Sequence, residues 1–334
     1  MKILGLSSKN SGCGFHRIVL PLGFMNEVTG YVTDIPTDEI LQRGYDILFF
    51  NRLSIMDEGL EEAKKHFKII VDMDDDWILP VNHLNYPSYK ELKPRIENNI
   101  RMADMVTCTN ENLANKLRPL NSNVHIHKNA LPFGYHQFTS DRRTDERIRI
   151  FWSGSCTHTE DLAILQNPLK RLSVHKDKIK MVLGGYSEDD PVTKRIWDKM
   201  FYFFTANGSL PYMKIGGTLP NDYMMLYENA DIMLIPLEKS DWHGCKSNLK
   251  ILEAAAKKIP CIVSAVEPYI NDKDMPVLWV HKQKDWFEHL NYLILNPEVR
   301  IEMGEKLYNY AKENYSIFDV NATRRTAFAD LIKT

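Results

Sequence analysis

A lysine, a helix start and a glutamate follow one another closely in the second half of the sequence. Lys246 precedes Ser247 and Asn248, either of which is predicted to cap the apolar helix that comes next. Free amides at a helix start attract anions. Glu253 lies roughly 8 Å further along the helix, at about 1.5 Å per residue. A phosphate at the helix start and a ribose hydroxyl at Glu253 would fit one nucleoside diphosphate. The alternative is a solvated glutamate on an ordinary helix.

An acidic run, Asp72-Met73-Asp74-Asp75-Asp76-Trp77, follows a predicted buried strand in the first half of the chain. Ligands of parallel α/β sheets bind beyond the carboxyl ends of the strands, which is where this run falls. Adjacent carboxylates repel one another and lose solvation when buried. They are therefore expected to face water, to hold a cation, or to bind hydroxyls of a sugar or an acceptor. Asp74 and Asp75 are the candidates for a catalytic role, including that of a general base.

Turns rich in glycine and serine follow predicted strands in both halves. The turn from Ser8 to Gly14 follows the first strand, and Ser153-Gly154-Ser155 follows the strand that restarts the pattern near residue 148. Such turns supply amides and hydroxyls to phosphates, although a tight turn also needs glycine for backbone reasons alone. The candidate ligand-binding residues in these and a third such turn are Gly12, Gly14, Ser153, Gly154, Ser155, His158 and Gly185.

Strands alternate with helices along the chain, which predicts parallel sheets. In the first half we expect a strand over residues 31–35, helices over 17–25 and 95–103, and a loop over 78–89. The polar segment from Phe133 to Arg147 is the best linker. We therefore predict an α/β fold of two Rossmann-like domains whose parallel sheets face each other across a cleft. The N-terminal domain spans residues 1–140 and the C-terminal nucleotide-binding domain 141–318, and a helix over 319–334 packs back on the first.

Composition limits the class of protein. The 334 residues are 44% hydrophobic and 26% charged, with a net charge of −2, so there is no overall polyanion-binding signature. Five scattered cysteines lack metal-type spacing and favour a reducing compartment. No apolar run approaches the roughly 20 residues that span a bilayer. We expect a cytoplasmic protein, or one in the host cytoplasm if a phage encodes it.

Several segments together resemble glycosyltransferase family 4, which has the GT-B architecture. The most specific are 229–237, 246–256 and 259–264; 103–109, 127–130 and 300–315 add to the likeness. The acidic run also looks like that of phage and bacterial transferases. The resemblance implies that Glu253 binds the ribose of the sugar donor. It also implies that the loop of Gly244, Cys245, Lys246, Ser247 and Asn248 holds the diphosphate.

The family usually places another glutamate eight residues before the one at Glu253, where it contacts the sugar. Here that position is Cys245, and Asp241 or His243 are the candidates to replace it. Lys246, Lys250 and the helix start would stabilise the leaving diphosphate, with no metal site and no cofactor required. The implied activity is transfer of a sugar from a nucleoside diphosphate sugar, UDP-sugar foremost, to a hydroxyl, with retention at the anomeric carbon.

The acceptor stays open at this point. A glycan or lipid-linked sugar is one class, and a hydroxymethylated base in DNA is another. A module that binds a nucleotide sugar without catalysis is a third alternative, with Cys245 as its sign. An oxidoreductase fits less well, because neither glycine turn completes G-x-G-x-x-G with a following ribose-binding acid. The oligomeric state is not predicted.

Overall fold

The structure, a computed structural model, describes residues 1–26, 28–33, 43–55, 57–189 and 191–333. The chain forms two compact units. The first comprises Met1–Pro132, Gly244–Ser247 and Tyr315–Thr334, and the second comprises Phe133–His243 and Asn248–Asn314.

The first unit is an alternation of short strands and helices. Its described strands are β1 (Lys2–Leu6), β2 (Thr29–Thr33), β3 (Ile47–Asn51), β4 (Lys68–Met73), β5 (Met105–Cys108) and β6 (Val124–Ile126). Its described helices are α1 (Gly12–Gly14), α2 (Leu20–Gly23), α3 (Glu58–Ala63), α4 (Tyr86–Met102), α5 (Glu111–Leu117) and, at the far end of the chain, α13 (Ile317–Leu331). A π-helical segment, Phe15–Val19, joins α1 to α2.

These six strands form one sheet in the order β2-β1-β3-β4-β5-β6, with every neighbouring pair parallel. Side chains of a strand alternate between two faces. Ile47 and Phe49 therefore pack in the apolar cluster on one face, while Leu48 and Phe50 pack in the cluster on the other. Helix α13 covers the first of these faces, where the Phe328 ring lies 5.3 Å from that of Phe49.

The second unit repeats the alternation. Its described strands are β7 (Ile148–Ser153), β8 (Ile179–Tyr186), β9 (Tyr212–Gly216), β10 (Ile232–Ile235), β11 (Cys261–Ser264) and β12 (Leu278–Val280). The described helices between residues 148 and 314 are α6 (Thr159–Ala163), α7 (Gln166–Lys170), α8 (Pro191–Phe204), α9 (Asp241–Gly244), α10 (Leu249–Ala256), α11 (Gln283–Leu295) and α12 (Pro297–Asn314).

The second sheet has the order β12-β11-β10-β7-β8-β9 and is likewise parallel throughout its described pairs. The strand order reverses between β7 and β10, so the segments that leave these two strands diverge. In doubly wound sheets this switch point is where ligands bind. Three buried tryptophans, Trp152, Trp197 and Trp286, fill the core beneath it. The predicted α/β class with two Rossmann-like sheets is thus confirmed.

Several predicted boundaries are wrong for local reasons. The first helical segment begins at Gly12 rather than at residue 17, because the Ser11 side chain accepts a hydrogen bond from the Gly14 amide at 2.9 Å and caps it. Helix α4 begins at Tyr86, inside the predicted loop, because proline is well suited to the first turn of a helix. The predicted strand at 31–35 is found as β2, and its last two residues lie outside the described part of the chain.

Among the residues that the structure describes, no helix is long and apolar enough to cross a membrane.

Candidate functional site

The two glycine turns of the second unit touch each other at the carboxyl edge of its sheet. Gly185 has φ of +91°, and a Cβ atom there would lie 2.4 Å from the carbonyl oxygen of Gly154. At Gly154 a Cβ atom would lie 2.9 Å from the Trp152 ring and 3.0 Å from Nζ of Lys250. Both positions therefore require glycine for space, and Gly185 also requires it for its backbone angle.

Lys250 is held beside this bare backbone by the indole of Trp152. Its Nζ lies 5.0 Å from the ring centroid, within the range of a cation–π interaction. The arrangement sets an ammonium group next to the Gly154 turn and in the first turn of α10. A cation, a glycine turn and a helix start at one place are suited to bind a phosphate.

Glu253 is buried rather than solvated, with 3% of its surface exposed. The Tyr227 hydroxyl donates to its Oε2 at 2.6 Å. Ser153 Oγ in turn donates to the Tyr227 oxygen at 3.3 Å and lies 2.9 Å from the Tyr223 hydroxyl. Burial, followed by the charge of Glu253, raises the pKa of both tyrosines above the ordinary value, so they stay protonated and can donate. Tyr227 precedes Glu253 by 26 residues, and no local pattern links the two positions.

The start of α10 differs from the prediction. Asn248 occupies the capping position, but no side chain there accepts from the first-turn amides of α10, and Ser247 binds elsewhere. The helix is also buried all round from Ile251 to Ala256, so it has no solvated face. Its first turn is thus the one part with partial exposure, which is where a ligand could approach the amides.

Asp161 is a buried carboxylate that sequence reasoning missed. It accepts from His158 Nδ1 and from the Glu238 amide, each at 2.8 Å, and its Oδ1 lies 3.5 Å from His243 Nε2. His243 is further fixed by Ser240, whose Oγ lies 2.8 Å from Nδ1. The structure therefore brings the predicted residues His158 and His243 to one carboxylate. The i, i+3 spacing of His158 and Asp161 was the available signal. Ser155 is exposed, and its hydroxyl lies 2.6 Å from that of Thr157.

The loop Gly244–Ser247 belongs to the first unit. Asn110 Nδ2 donates to the carbonyl oxygens of Cys245 and Lys246 at 3.0 and 2.7 Å. Asn112 Nδ2 donates to that of Gly244, and Asn129 Nδ2 donates to Ser247 Oγ, at 3.1 and 2.7 Å. These asparagines fix both the path of the loop and the direction of its side chains.

Cys245 cannot offer its side chain to a ligand. It is fully buried in a hydrophobic cluster of the first unit, and burial raises the pKa of its thiol to about 11. Cys245 could therefore contact a sugar donor only through its backbone. Lys246, the next residue, is directed to the acidic run, with Nζ 3.4 Å from Asp75 Oδ2.

Each carboxylate of the acidic run lies beside a lysine or an arginine, and Arg52 also lies 4.0 Å from Asp75. Asp72 and Asp76 are buried, whereas Asp74 and Asp75 are partly exposed. Asp74 and Asp75 can thus still meet water or a hydroxyl group, and the three predicted alternatives for the run stay predictions. No group of three metal-ligating side chains occurs in the part of the chain described. The pairs are Asp72 with Arg17, Asp74 with Arg52, Asp75 with Lys246, and Asp76 with Lys116.

Asp74 is poorly suited to the predicted role of general base. Burial favours its neutral form, but the charge of Arg52 and hydrogen bonds from Cys13 and Asn51 outweigh burial and lower its pKa to about 2. A carboxylate that gives up its proton so readily is a weak base at neutral pH.

Gly12 and Gly14 lie in the first helical turn rather than in a flexible loop. A Cβ atom at Gly14 would lie 2.2 Å from Ser7 Oγ, so this glycine is required for close packing. At Gly12 nothing lies within 4 Å of such an atom, so its position is open. The site residues thus fall into two sets. Those in the second unit are Ser153, Gly154, Ser155, His158, Gly185, His243, Asn248, Lys250 and Glu253, and those in the first are Gly12, Gly14, Asp74, Asp75, Gly244, Cys245, Lys246 and Ser247.

No protein-family model matches the chain, and a search of curated proteins finds no match. Solved structures do match over nearly the whole length. An α-glucosyltransferase in complex with UDP and a 13-mer DNA containing an HMU base has a TM-score of 0.68 at 14% identity, covering 100% of this chain and 99% of the other.

Two further structures are similar. The Anabaena protein HepE in complex with UDP-glucose has a TM-score of 0.66 at 10% identity, covering 99% of this chain and 100% of the other. Sucrose-phosphate synthase from Thermosynechococcus elongatus also has a TM-score of 0.66, at 12% identity, covering 99% of each chain. At these identities the likeness concerns the fold, and the chain has the two-domain α/β fold of GT-B glycosyltransferases.

Proposed function

We propose that this protein is a glycosyltransferase that moves a sugar from UDP-sugar to an acceptor hydroxyl. The observation that carries the proposal is the grouping of Glu253, Lys250 and Gly154 at the switch point of the second sheet. A buried carboxylate, an ammonium group and a bare glycine turn suit a ribose and a diphosphate. The structural neighbours support this choice, since HepE is in complex with UDP-glucose and the α-glucosyltransferase with UDP.

In this proposal Glu253 accepts hydrogen bonds from the ribose hydroxyls. The Tyr227 hydroxyl holds its carboxylate in one orientation. The diphosphate lies at Lys250, the Gly154 turn and the first amides of α10. When the bond between the anomeric carbon and the diphosphate oxygen breaks, negative charge grows on the leaving group. Lys250 and the helix start stabilise that charge more strongly in the transition state than before it.

The acceptor oxygen forms the new bond to the anomeric carbon and loses its proton. The departing diphosphate takes up that proton, and Asp74, whose pKa is lowered to about 2, is a weak base for it. Asp75 stays a predicted alternative. The resemblance to family 4 implies that the new bond keeps the configuration of the old one, which proton NMR of the product would show.

Release of UDP tests the proposal. A panel of nucleotide sugars is first screened for thermal stabilisation, because a ligand that binds only the native state raises its stability. The Kd for UDP and the turnover with the best ligand are then measured for the wild type and for Glu253→Ala. We expect a Kd for UDP about 30-fold higher in the variant, since a hydrogen bond to a charged group contributes about 1.5–3 kcal/mol. Unchanged affinity in a folded variant would contradict the assignment.

A hydroxymethylated base in DNA is a second candidate acceptor. The observation in its favour is the α-glucosyltransferase whose structure contains DNA with an HMU base. UDP release should then rise with an oligonucleotide containing a hydroxymethylated base and not with its unmodified form, and binding should weaken steeply with salt. A glycan or lipid-linked acceptor predicts no response to DNA. Tight binding of the sugar donor without turnover on any acceptor would favour a non-catalytic binding module.

A further inference from the structure

Two predicted contact residues lie beside one indole ring. Lys250 Nζ is 5.0 Å from the Trp152 ring centroid, and the His158 ring centroid is 6.2 Å from it. Glu253 lies in the same unit, bound through Tyr227 to the residue next to Trp152. A nucleotide sugar runs from ribose through diphosphate to sugar. If Glu253 and Lys250 hold the first two parts, His158, which contacts the same indole as Lys250, is the candidate for the third.

The position of His158 is set by Asp161. This carboxylate, 3% exposed, accepts from His158 Nδ1 at 2.8 Å. It also accepts from the amide of Glu238, and it faces His243. One buried side chain thus joins the segment after β7, the segment after β10 and helix α9, which are the segments that border the switch point.

The negative charge of Asp161 strengthens its hydrogen bond with His158. Burial favours the neutral carboxyl, but the hydrogen bond from His158, then the charges of His158 and His243, and the Glu238 amide outweigh it. They hold the pKa of Asp161 below its ordinary value, so the group is a carboxylate at neutral pH. A carboxylate bound to Nδ1 fixes both the tautomer and the orientation of an imidazole, as in the supporting shell of metal-bound histidines.

The resemblance to family 4 leads us to expect a sugar contact at residue 245, where that family has a glutamate. Eight residues before Glu253 the chain has Cys245, whose thiol is buried in the core of the first unit. Sugar hydroxyls need polar partners, so recognition must come from other side chains. We propose that the imidazole of His158 binds hydroxyl groups of the transferred sugar and that Asp161 is the positioning residue that aims it. This inference rests on the proposed function and extends it to the sugar end of the ligand.

The test separates the sugar from the nucleotide. Kd values for UDP, UDP-glucose, UDP-galactose and UDP-N-acetylglucosamine are measured by calorimetry for the wild type, Asp161→Asn and His158→Ala. We expect Kd for UDP to stay within about twofold of the wild type in both variants, and Kd for at least one UDP-sugar to rise about tenfold. The ratio of the two constants is the readout, because general loosening of the site would change both together.

The controls make each outcome decisive. Glu302→Gln removes an exposed carboxylate of α12 that binds Lys306, and it should leave every ratio unchanged. His158 is partly exposed, so His158→Ala carries the test if melting curves show that Asp161→Asn does not fold. Unchanged ratios for all three sugars, or an equal loss for UDP and its sugars in folded variants, would overturn the inference. Glu253→Ala is expected to weaken the binding of UDP and of UDP-sugars alike. If it weakens neither, the proposed function is wrong, whatever the result at His158.

Discussion

The carboxyl edges of the two sheets both carry charged side chains, but they hold them differently. In the first unit each carboxylate from Asp72 to Asp76 is bound by a cation. In the second, Glu253 is bound by the neutral hydroxyl of Tyr227, and Lys250 lies against an indole ring. The Tyr227 hydroxyl orients the Glu253 carboxylate and carries no charge of its own. The comparison suggests that the first edge is built for stability and the second for binding a charged ligand.

The largest expected effect tests the structural role of the first edge. Arg17 and Asp72 are each 1% exposed, and Arg17 Nη2 lies 2.8 Å from Asp72 Oδ1. Arg17→Met leaves that carboxylate buried without its cation, which should lower the free energy of unfolding by about 3–5 kcal/mol. Urea denaturation measures this. Removing a fully exposed pair through Lys65→Met should change nothing measurable, and a similarly small effect at Arg17 would break the comparison.

The next effect concerns the second edge. Lys250→Met keeps the length and apolar contacts of the side chain but removes its charge. We expect turnover to fall about 100-fold, as when one stabilising group for transition-state charge is lost, while the melting temperature stays near that of the wild type. Steady-state UDP release with the preferred sugar donor measures it. A loss of stability with normal turnover would show that Lys250 stabilises the fold and does not act on the leaving group.

Acid should weaken the first edge in a defined range. Folding lowers the pKa of Asp74 from 3.8 to about 2. A depressed pKa adds stability that is present above pH of about 4 and is lost as the pH falls towards 2. The contribution is about 2 kcal/mol. Unfolding free energies of the wild type and Asp74→Asn should therefore converge below pH of about 4. A constant difference down to pH of about 2 would show that the Asp74 carboxylate is not the cause.

The smallest effect sharpens the role of the neutral partner. Tyr227→Phe removes only the hydroxyl that orients Glu253. Kd for UDP should rise roughly fivefold, less than in Glu253→Ala, because the carboxylate remains but is less well placed. Calorimetry with UDP and 2′-deoxy-UDP is the measurement. If the ratio of their Kd values does not change, Tyr227 does not act through the ribose.

Local patterns were enough to predict much of this molecule. The glycine turns at Gly154 and Gly185, the helix that carries Glu253, and the alternation of strands and helices are set by neighbouring residues. The errors at Gly12 and Tyr86 are also local, since a serine cap and a first-turn proline were available as signals. The second sheet's switch point, by contrast, depends on strand order and not on any one segment.

The site depends on contacts between residues far apart in the sequence. Tyr227 reaches Glu253, and Asp161 reaches His243, only because the segments after several strands meet at one edge. The four cations beside the acidic run come from four different segments, so the run itself predicted only that it faces water, holds a cation, or binds hydroxyls of a sugar or an acceptor. Cys245 marked an unusual position in the sequence, but only its burial shows that the thiol is withheld from a ligand.

The contact between Gly154 and Gly185 has a consequence for sequence variation. A Cβ atom at residue 185 would lie 2.4 Å from the carbonyl oxygen of Gly154, so a larger residue at 185 requires the backbone at residue 154 to move. A larger residue at 154 would instead meet the Trp152 ring, so the restriction at residue 154 should follow the identity of residue 152. An alanine at residue 185 would first be tolerated in a background where the backbone at residue 154 has already shifted.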